Sequence, residues 1–446
     1  MIPPGEVQGQ RPWSGEVRGG AMPLPGRRRL FFMREANSEY TLRLRDFPVG
    51  AQMLFVAFGA LVLVPLLTGL DPNVSLFCAG SGTLLYQVLT GFRIPIFLGS
   101  SFAFIAPIMF CVKTYGVPAT MGGLAAVGIV YGLVAAAIRL RGVAVLSRIL
   151  PTVVTGPVIM VIGLILAPVG VAMAMGKTGD GAKALYPEGL ALSVALFSLA
   201  VTVLVAIRGR GMVRLVPILS GIAAGYLASL ALGIVDFGPV AAAPWFAVPR
   251  FTSPTFSLDA ILVIVPVAIA PIIEHFGGIL AIGQVTGHNY LEKPGVHRSL
   301  LGDGVATALA GCLGGPPLTT YAEVTGAVAL TRIHNPALMT WAALTAICLA
   351  FVGKLGALLT TIPTPVMGGI MLLLFGTIMV VGLNSLVLEG SDLMEPRNMV
   401  IVALILVFGI GRMTFSFGGV HLEGIGLAGV AGVVMNLILP HSRREK

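Results

Sequence analysis

Twelve apolar runs set the limits on what this chain can fold into. They fall near 51–70, 74–91, 118–138, 153–175, 190–207, 213–234, 257–283, 297–315, 337–361, 364–387, 397–411 and 423–439, and each approaches the roughly 20 residues that an α-helix needs to cross hydrocarbon. Across 446 residues, 56% are hydrophobic and only 11% charged, less than half the charge of a soluble domain, which is about 25%. A mean hydropathy of +0.94 agrees. Two further segments, 97–114 and 317–333, are apolar but short and broken by Gly, Pro, Ser and Thr. Each reads as a half-helix with extended backbone beside it, and counting them gives fourteen crossings. They occupy the third place in each half of seven, and paired interrupted spans at matching places point to an inverted-repeat transporter with a midplane site. Broken backbone survives at that depth only where protein or a wet cavity satisfies its N–H and C=O groups. The expected fold is therefore an all-α polytopic membrane protein of 14 transmembrane segments in two inverted seven-span repeats, with short extended pieces in the third and tenth spans. Its site is expected where 99–104 meets 320–323.

The net charge of +9 does not imply a nucleic-acid partner, because the basic residues sit between spans and form no continuous face. Topology accounts for them. With a cytoplasmic N-terminus, 22 of the 28 Lys and Arg residues fall inside, among them Arg93, Arg139, Arg141, Arg148, Arg208, Arg210, Arg214, Lys293, Arg298, Arg332, Arg397 and the Arg443-Arg444-Glu445-Lys446 end. Six fall outside: Lys113, Lys177, Lys183, Arg250, Lys354 and Arg412. That asymmetry obeys the positive-inside rule and places both termini in the cytoplasm of a multi-pass cell (inner) membrane protein. The first apolar run starts behind some fifty polar and basic residues, a pattern read as a cytoplasmic N-terminal tail, 1–45, rather than a signal peptide. A short cytoplasmic tail, 441–446, is expected at the other end.

Two carboxylates interrupt the apolar runs: Glu274 in 265–278 and Glu323 in 317–326. An ionised carboxylate at bilayer depth costs about 2.5 to 3.5 kcal/mol on insertion scales, so it is expected to face a partner, a substrate or water. Two such acids on separate spans suit a small amide heterocycle. Carboxylates accept from ring N–H groups, while backbone N–H groups at half-helix starts donate to ring carbonyls. Either acid could also carry the coupling proton. His275 adjoins Glu274, but neighbours on a helix point about 100° apart, so it need not face the same cavity. Phe102 could line a cavity for a planar ligand. His288, His297, His334, His421 and His441 fall at span ends or in loops.

No metal site is expected. The four cysteines, Cys78, Cys111, Cys312 and Cys348, lie in or beside apolar runs without zinc or disulfide spacing and read as small hydrophobes. Two near-motifs also dissolve on inspection. Gly170 to Thr178 has five residues between its glycines where a phosphate loop needs four, and Gly424 to Gly429 fits a dinucleotide fingerprint but lies in the last span, where close helix packing explains it.

At these residues the chain resembles the nucleobase/ascorbate transporter family, nucleobase-cation symporter-2, and within it the bacterial uracil permease branch. Carrying the likeness are Val64-Pro65-Leu66-Leu67, Gly82-Thr83-Leu84-Leu85-Tyr86, Leu98-Gly99-Ser100-Ser101-Phe102-Ala103-Phe104-Ile105, Glu274-His275, Pro294-Gly295-Val296-His297-Arg298-Ser299, Thr319-Thr320-Tyr321-Ala322-Glu323 and Ile362-Pro363-Thr364-Pro365-Val366-Met367-Gly368-Gly369. The resemblance implies a core (substrate-binding) domain, 51–140 with 257–361, moving elevator-like against a gate domain, 150–235 with 364–440, often in a homodimer. It implies that Glu274 and Glu323 bind the base and serve proton coupling, that backbone amides at Phe102 and Ala322 reach its carbonyls, and that Tyr321 shapes the cavity. Ser101 and His275 are secondary candidates. No cofactor is implied beyond a coupling ion, a proton or sodium.

Three positions depart from the family. Gly278 stands where a His thought to assist proton coupling is usual, Met53 replaces a second His, and Val324 replaces an Asn after the second acid. The leading expectation is import of uracil or a related nucleobase by proton symport. A xanthine or purine symporter of the same family is the alternative, and an uncoupled facilitator or channel is another, kept open by Gly278. Sulfate-type anion transporters share a similar architecture but would favour cationic or neutral groups where this chain has two acids. An enzyme is not expected, because the spans hold no metal cluster or nucleophile–base arrangement.

Overall fold

The computed structural model describes residues 39–142, 150–211, 213–388, 392–411, 413–417 and 420–440. The expected tails up to residue 38 and over 441–446, with Arg148, Arg412 and His441, lie outside the described residues.

The chain is mostly helical. In order it forms α1 (Phe47–Thr68), α2 (Pro72–Thr90), β1 (Leu98–Ser100), α3 (Ile105–Tyr115), α4 (Val117–Arg141), α5 (Thr152–Ala174), α6 (Glu188–Arg208), α7 (Pro217–Ala231), α8 (Leu258–Ile264) and α9 (Ile269–Thr286). Then come α10 (Val296–Leu313), β2 (Leu318–Thr320), α11 (Ala322–Thr331), α12 (Ala337–Ala350), α13 (Gly353–Thr360), α14 (Thr364–Leu388), α15 (Pro396–Ile410), the hairpin β3 (Thr414–Phe417) and β4 (Val420–Glu423), and α16 (Gly424–Ile438). Six helical stretches among the described residues are long and apolar enough to cross a membrane: Leu44–Thr68, Val117–Arg141, Thr152–Ala174, Glu188–Arg208, Leu258–Thr286 and Thr364–Val387.

Local chemistry sets the boundaries. Before α2, the Asp71 carboxylate accepts from the N–H groups of Asn73 (2.7 Å) and Val74 (3.4 Å), with Pro72 in the first turn. This satisfies donors that a helix start leaves unpaired. The same helix ends on Gly91 at φ 66°, a left-handed stop that glycine adopts without strain. Pro266 lies in a 3₁₀ turn, Val265–Ala268, which separates α8 from α9. A proline there removes a backbone donor and interrupts the α-helical ladder.

Close packing is made by small residues. A Cβ at Gly128 on α4 would lie 2.5 Å from the Gly304 carbonyl on α10, and one at Gly382 on α14 would lie 2.5 Å from the Gly156 carbonyl on α5. Small residues let helix backbones approach where lipid offers no hydrophobic drive between helices. Two clusters of contacts result. The first joins α2, α4, α10 and α12, with α1 against α12 and α8 against α4; the second joins α5, α6, α7, α14, α15 and α16.

Two details differ from the sequence reading. The span expected over 337–361 divides into α12 and α13. Val352 between them is extended, bridges to Phe246, and is flanked by hydrogen bonds from Ala247 N–H to Phe351 C=O (3.0 Å) and Gly353 N–H to Trp245 C=O (3.0 Å). Backbone pairing from a distant loop thus competes with helix continuation. The β3–β4 hairpin was not expected in a fold read as all-α apart from two extended pieces.

Candidate functional site

The two extended pieces expected in the interrupted segments pair with each other. Antiparallel β1 and β2 align Leu98 with Thr320, Gly99 with Thr319 and Ser100 with Leu318. Six residues could not hold such a ribbon alone; neighbouring helices supply the anchors. The Thr83 hydroxyl on α2 accepts from Leu98 N–H (3.0 Å), and the Thr307 hydroxyl on α10 accepts from Leu318 N–H (3.1 Å). The Ser100 hydroxyl donates to the Leu61 carbonyl on α1 (3.2 Å). Gly99 is required here for space, since a Cβ would enter the Tyr321 ring.

After each strand the chain turns into a helix. Phe102 opens the 3₁₀ turn Phe102–Phe104 that leads into α3, and Ala322 is the first residue of α11. Helix starts present N–H groups without internal acceptors and a partial positive charge, so both starts aim donors at the ribbon. The Tyr321 hydroxyl donates to the Ser100 carbonyl (2.9 Å), and its ring lies nearly parallel to that of Phe102, with centroids 6.3 Å apart and 10° between planes. Both rings are buried.

Glu323 lies in the first turn of α11, where the helix dipole favours a carboxylate. Glu274 projects from α9, which packs on α11 and β2. Both acids are half-buried and close enough for their charges to interact with each other and with Tyr321. Among the described residues, no donor reaches the Glu274 carboxylate, and the hydroxyls of Ser101, Thr319 and Thr320 are buried without a hydrogen-bond partner. Two carboxylate acceptors, three uncommitted hydroxyls and two helix starts around a short ribbon can hold a small planar molecule that carries both N–H and C=O groups.

His275 is placed differently. Its ring is fully buried, with Nδ1 2.8 Å from Asp303 Oδ2 and Nε2 2.9 Å from Ser299 Oγ on α10. It ties α9 to α10 instead of facing the ribbon. Ser299 ends the 294–299 stretch that carries the family resemblance but has no role assigned by sequence; Asp303 is not among the residues singled out, although it is a third carboxylate within an apolar run. Of the three departures, Gly278 faces the ribbon, where an added Cβ would lie 2.6 Å from the Thr320 hydroxyl; Met53 and Val324 are fully buried. The near-motifs resolve as packing. Gly170 lies inside α5, and Gly426 and Gly429 of α16 bring its backbone against Pro266 and Ile269.

A cavity of about 670 Å³ lies to one side of the ribbon, between Ala106 and Phe110 of α3, Ile165 of α5, Ile410 of α15, Gly426 of α16 and Val267. Its lining includes neither acid. The polar site and this cavity are therefore adjacent rather than identical, with Ala106 one turn beyond Phe102.

A family model described as "Permease family", Xan_ur_permease, matches residues 45–417. The chain belongs to the nucleobase/ascorbate transporter family. It is 53% identical over 408 residues to a probable uracil permease of Haemophilus influenzae, covering 92% of this chain and 97% of that one. It is 43% identical over 426 residues to the uracil permease of Bacillus subtilis, covering 92% and 98%. It is 37% identical over 401 residues to the uracil permease of Escherichia coli K12, covering 90% and 92%. Among solved structures, the transmembrane domain of the cyanobacterium bicarbonate transporter BicA superposes with a TM-score of 0.63 at 14% identity, covering 88% of this chain and 97% of that one. SLC26A9 superposes with a TM-score of 0.63 at 13% identity, covering 89% and 66%. These two likenesses concern the fold alone. The chain is thus an integral membrane protein of a permease family.

Proposed function

We propose that this protein imports uracil or a closely related nucleobase by proton symport, binding the base at the β1–β2 ribbon between Glu274 and Glu323. The observation that carries the reading is the convergence of two half-buried carboxylates with the helix starts at Phe102 and Ala322. The carboxylates accept from ring N–H groups and the backbone amides donate to ring carbonyls. Uracil offers both on one planar ring. The names of the relatives support that choice.

Fourteen spans in two inverted repeats suit the ribbon. An antiparallel pair in which residue 98 corresponds to 318, each anchored by a threonine from the preceding helix, has a local two-fold axis between its strands. Paired broken segments of this kind mark repeat-built transporters. The two contact clusters support a core formed by 51–140 and 257–361 and a gate formed by 150–235 and 364–440, and the cavity between α3 and α5, α15 and α16 supports movement of one against the other. We assign both termini to the cytoplasm and the working unit to a homodimer. Specificity is tested by proteoliposome uptake of labelled uracil in competition with other pyrimidines and with purines. Uracil must compete best; preference for xanthine, or no uracil uptake, refutes the assignment.

Gly278 favours a second reading. Without the imidazole that the family places at this position, the protein would act as an uncoupled facilitator that only equilibrates its substrate.

A further inference from the structure

Away from the ribbon, the C-terminal end of α4 and the N-terminal end of α10 enclose a cavity of about 500 Å³. Arg139, His297 and Arg298 line it, with Gly132, Ala135 and Leu301 beside them. The two arginines are close enough for their charges to act on His297. Among the described residues, neither arginine has an ion-pair partner within 4.0 Å. Three basic groups from two helices thus converge without an acid to offset them, and like charges held together favour recruitment of an anion.

A belt of arginines flanking spans needs no cavity. Here the small residues Gly132 and Ala135 open one between the helices, and its apolar wall continues onto exposed side chains: Ile129 and Leu133 on α4, and Leu301 and Val305 on α10. His297, Leu301 and Val305 follow the four-residue spacing of one helix face. The N–H groups at the start of α10 add partial positive charge at the same end. Cations at the mouth and an apolar track leading away from it match a molecule with a phosphate at one end and hydrocarbon at the other.

We propose that this cavity binds an anionic glycerophospholipid, its phosphate held by Arg139, His297 and Arg298 and an acyl chain lying along α4 and α10. The same end carries Arg141 and Lys293 and belongs to the cytoplasmic side by the charge asymmetry of the sequence, where the leaflet is anionic and basic pockets between spans take up such headgroups. The inference rests on the membrane reading and is independent of which base is transported.

Native mass spectrometry of the detergent-purified full chain tests it, with phosphatidylglycerol, phosphatidylcholine of the same acyl chains and soluble glycerol 3-phosphate as probes. The intact protein retains phosphatidylglycerol over phosphatidylcholine, and glycerol 3-phosphate does not displace it. Arg139→Gln with Arg298→Gln lowers retention about tenfold, Leu301→Trp lowers it by filling the track with the charges kept, and Arg208→Gln on α6 leaves it unchanged. Thermal midpoints identify a variant that has unfolded, and the other variant then decides. Equal retention of both lipids, displacement by glycerol 3-phosphate, or undiminished retention in the folded variants overturns the proposal. A second copy of the chain occupying this face would produce the same failure, with a dimer that excludes the lipid.

Discussion

Glu274 and Glu323 differ in their surroundings, but the proposed site gives them the same task, to accept hydrogen bonds from a ring. Glu323→Gln keeps the side-chain volume and removes the charge; a hydrogen bond to a charged group is worth about 1.5–3 kcal/mol, so uracil affinity should fall roughly 10- to 100-fold. Equilibrium binding checks this, and unchanged affinity would remove Glu323 from the site. Gly278→Ala places a Cβ 2.6 Å from the Thr320 hydroxyl and should weaken binding by pushing that hydroxyl aside. In a Thr320→Ala background the same change should cost little, a non-additivity expected of residues in contact; strictly additive effects would contradict the placement. The two acids are legible in the sequence because a carboxylate inside an apolar run is conspicuous. Asp303 satisfies the same rule. That it serves His275, 28 residues away on another helix, is a tertiary fact without a sequence mark.

At the scale of elements, the ribbon depends on two threonines that are not part of it. Thr83→Val and Thr307→Val each keep the side-chain shape and leave a buried N–H, of Leu98 or Leu318, without its acceptor. Each should destabilise the fold by about 1–3 kcal/mol and weaken uracil binding, because the strands set where Phe102 and Ala322 begin their helices. Thermal unfolding in detergent alongside binding reads both effects; a loss of stability with binding intact would show that the strands do not position the site. The interruption of both segments is legible from their Gly, Pro, Ser and Thr content, since those residues break helices in predictable ways. The register is not, because pairing joins strands more than 200 residues apart. Nor is the break between α12 and α13, where Gly353 is only a weak local mark and the backbone partners around Trp245 lie about a hundred residues away in sequence. The unforeseen β3–β4 hairpin occupies the connection between the last two expected spans, 397–411 and 423–439.

At the scale of the whole molecule, the proposed mechanism has the ribbon and its helices move against their neighbours. The contact of α16 with the start of α9 is a place to obstruct that movement, because Gly429 abuts Ile269 and tolerates no side chain there. Gly429→Leu should lower the maximal uptake rate while leaving uracil affinity within about twofold, a change of roughly 0.4 kcal/mol; loss of affinity in step with rate would locate the effect at the site instead. The membrane character was legible from composition, and the charge asymmetry proposed an orientation. The grouping of spans was not, because which helices touch is decided by small residues such as Gly128 and Gly304 meeting across the fold. The central claim is that Glu274 and Glu323 bind a nucleobase whose import is driven by protons. The direct measurement is uptake of labelled uracil into proteoliposomes with and without an inward proton gradient, for the intact chain and for Glu274→Gln and Glu323→Gln. Accumulation above equilibrium that needs the gradient and is lost in both variants is the predicted result. Uptake that only equilibrates, or that survives both substitutions, would contradict it.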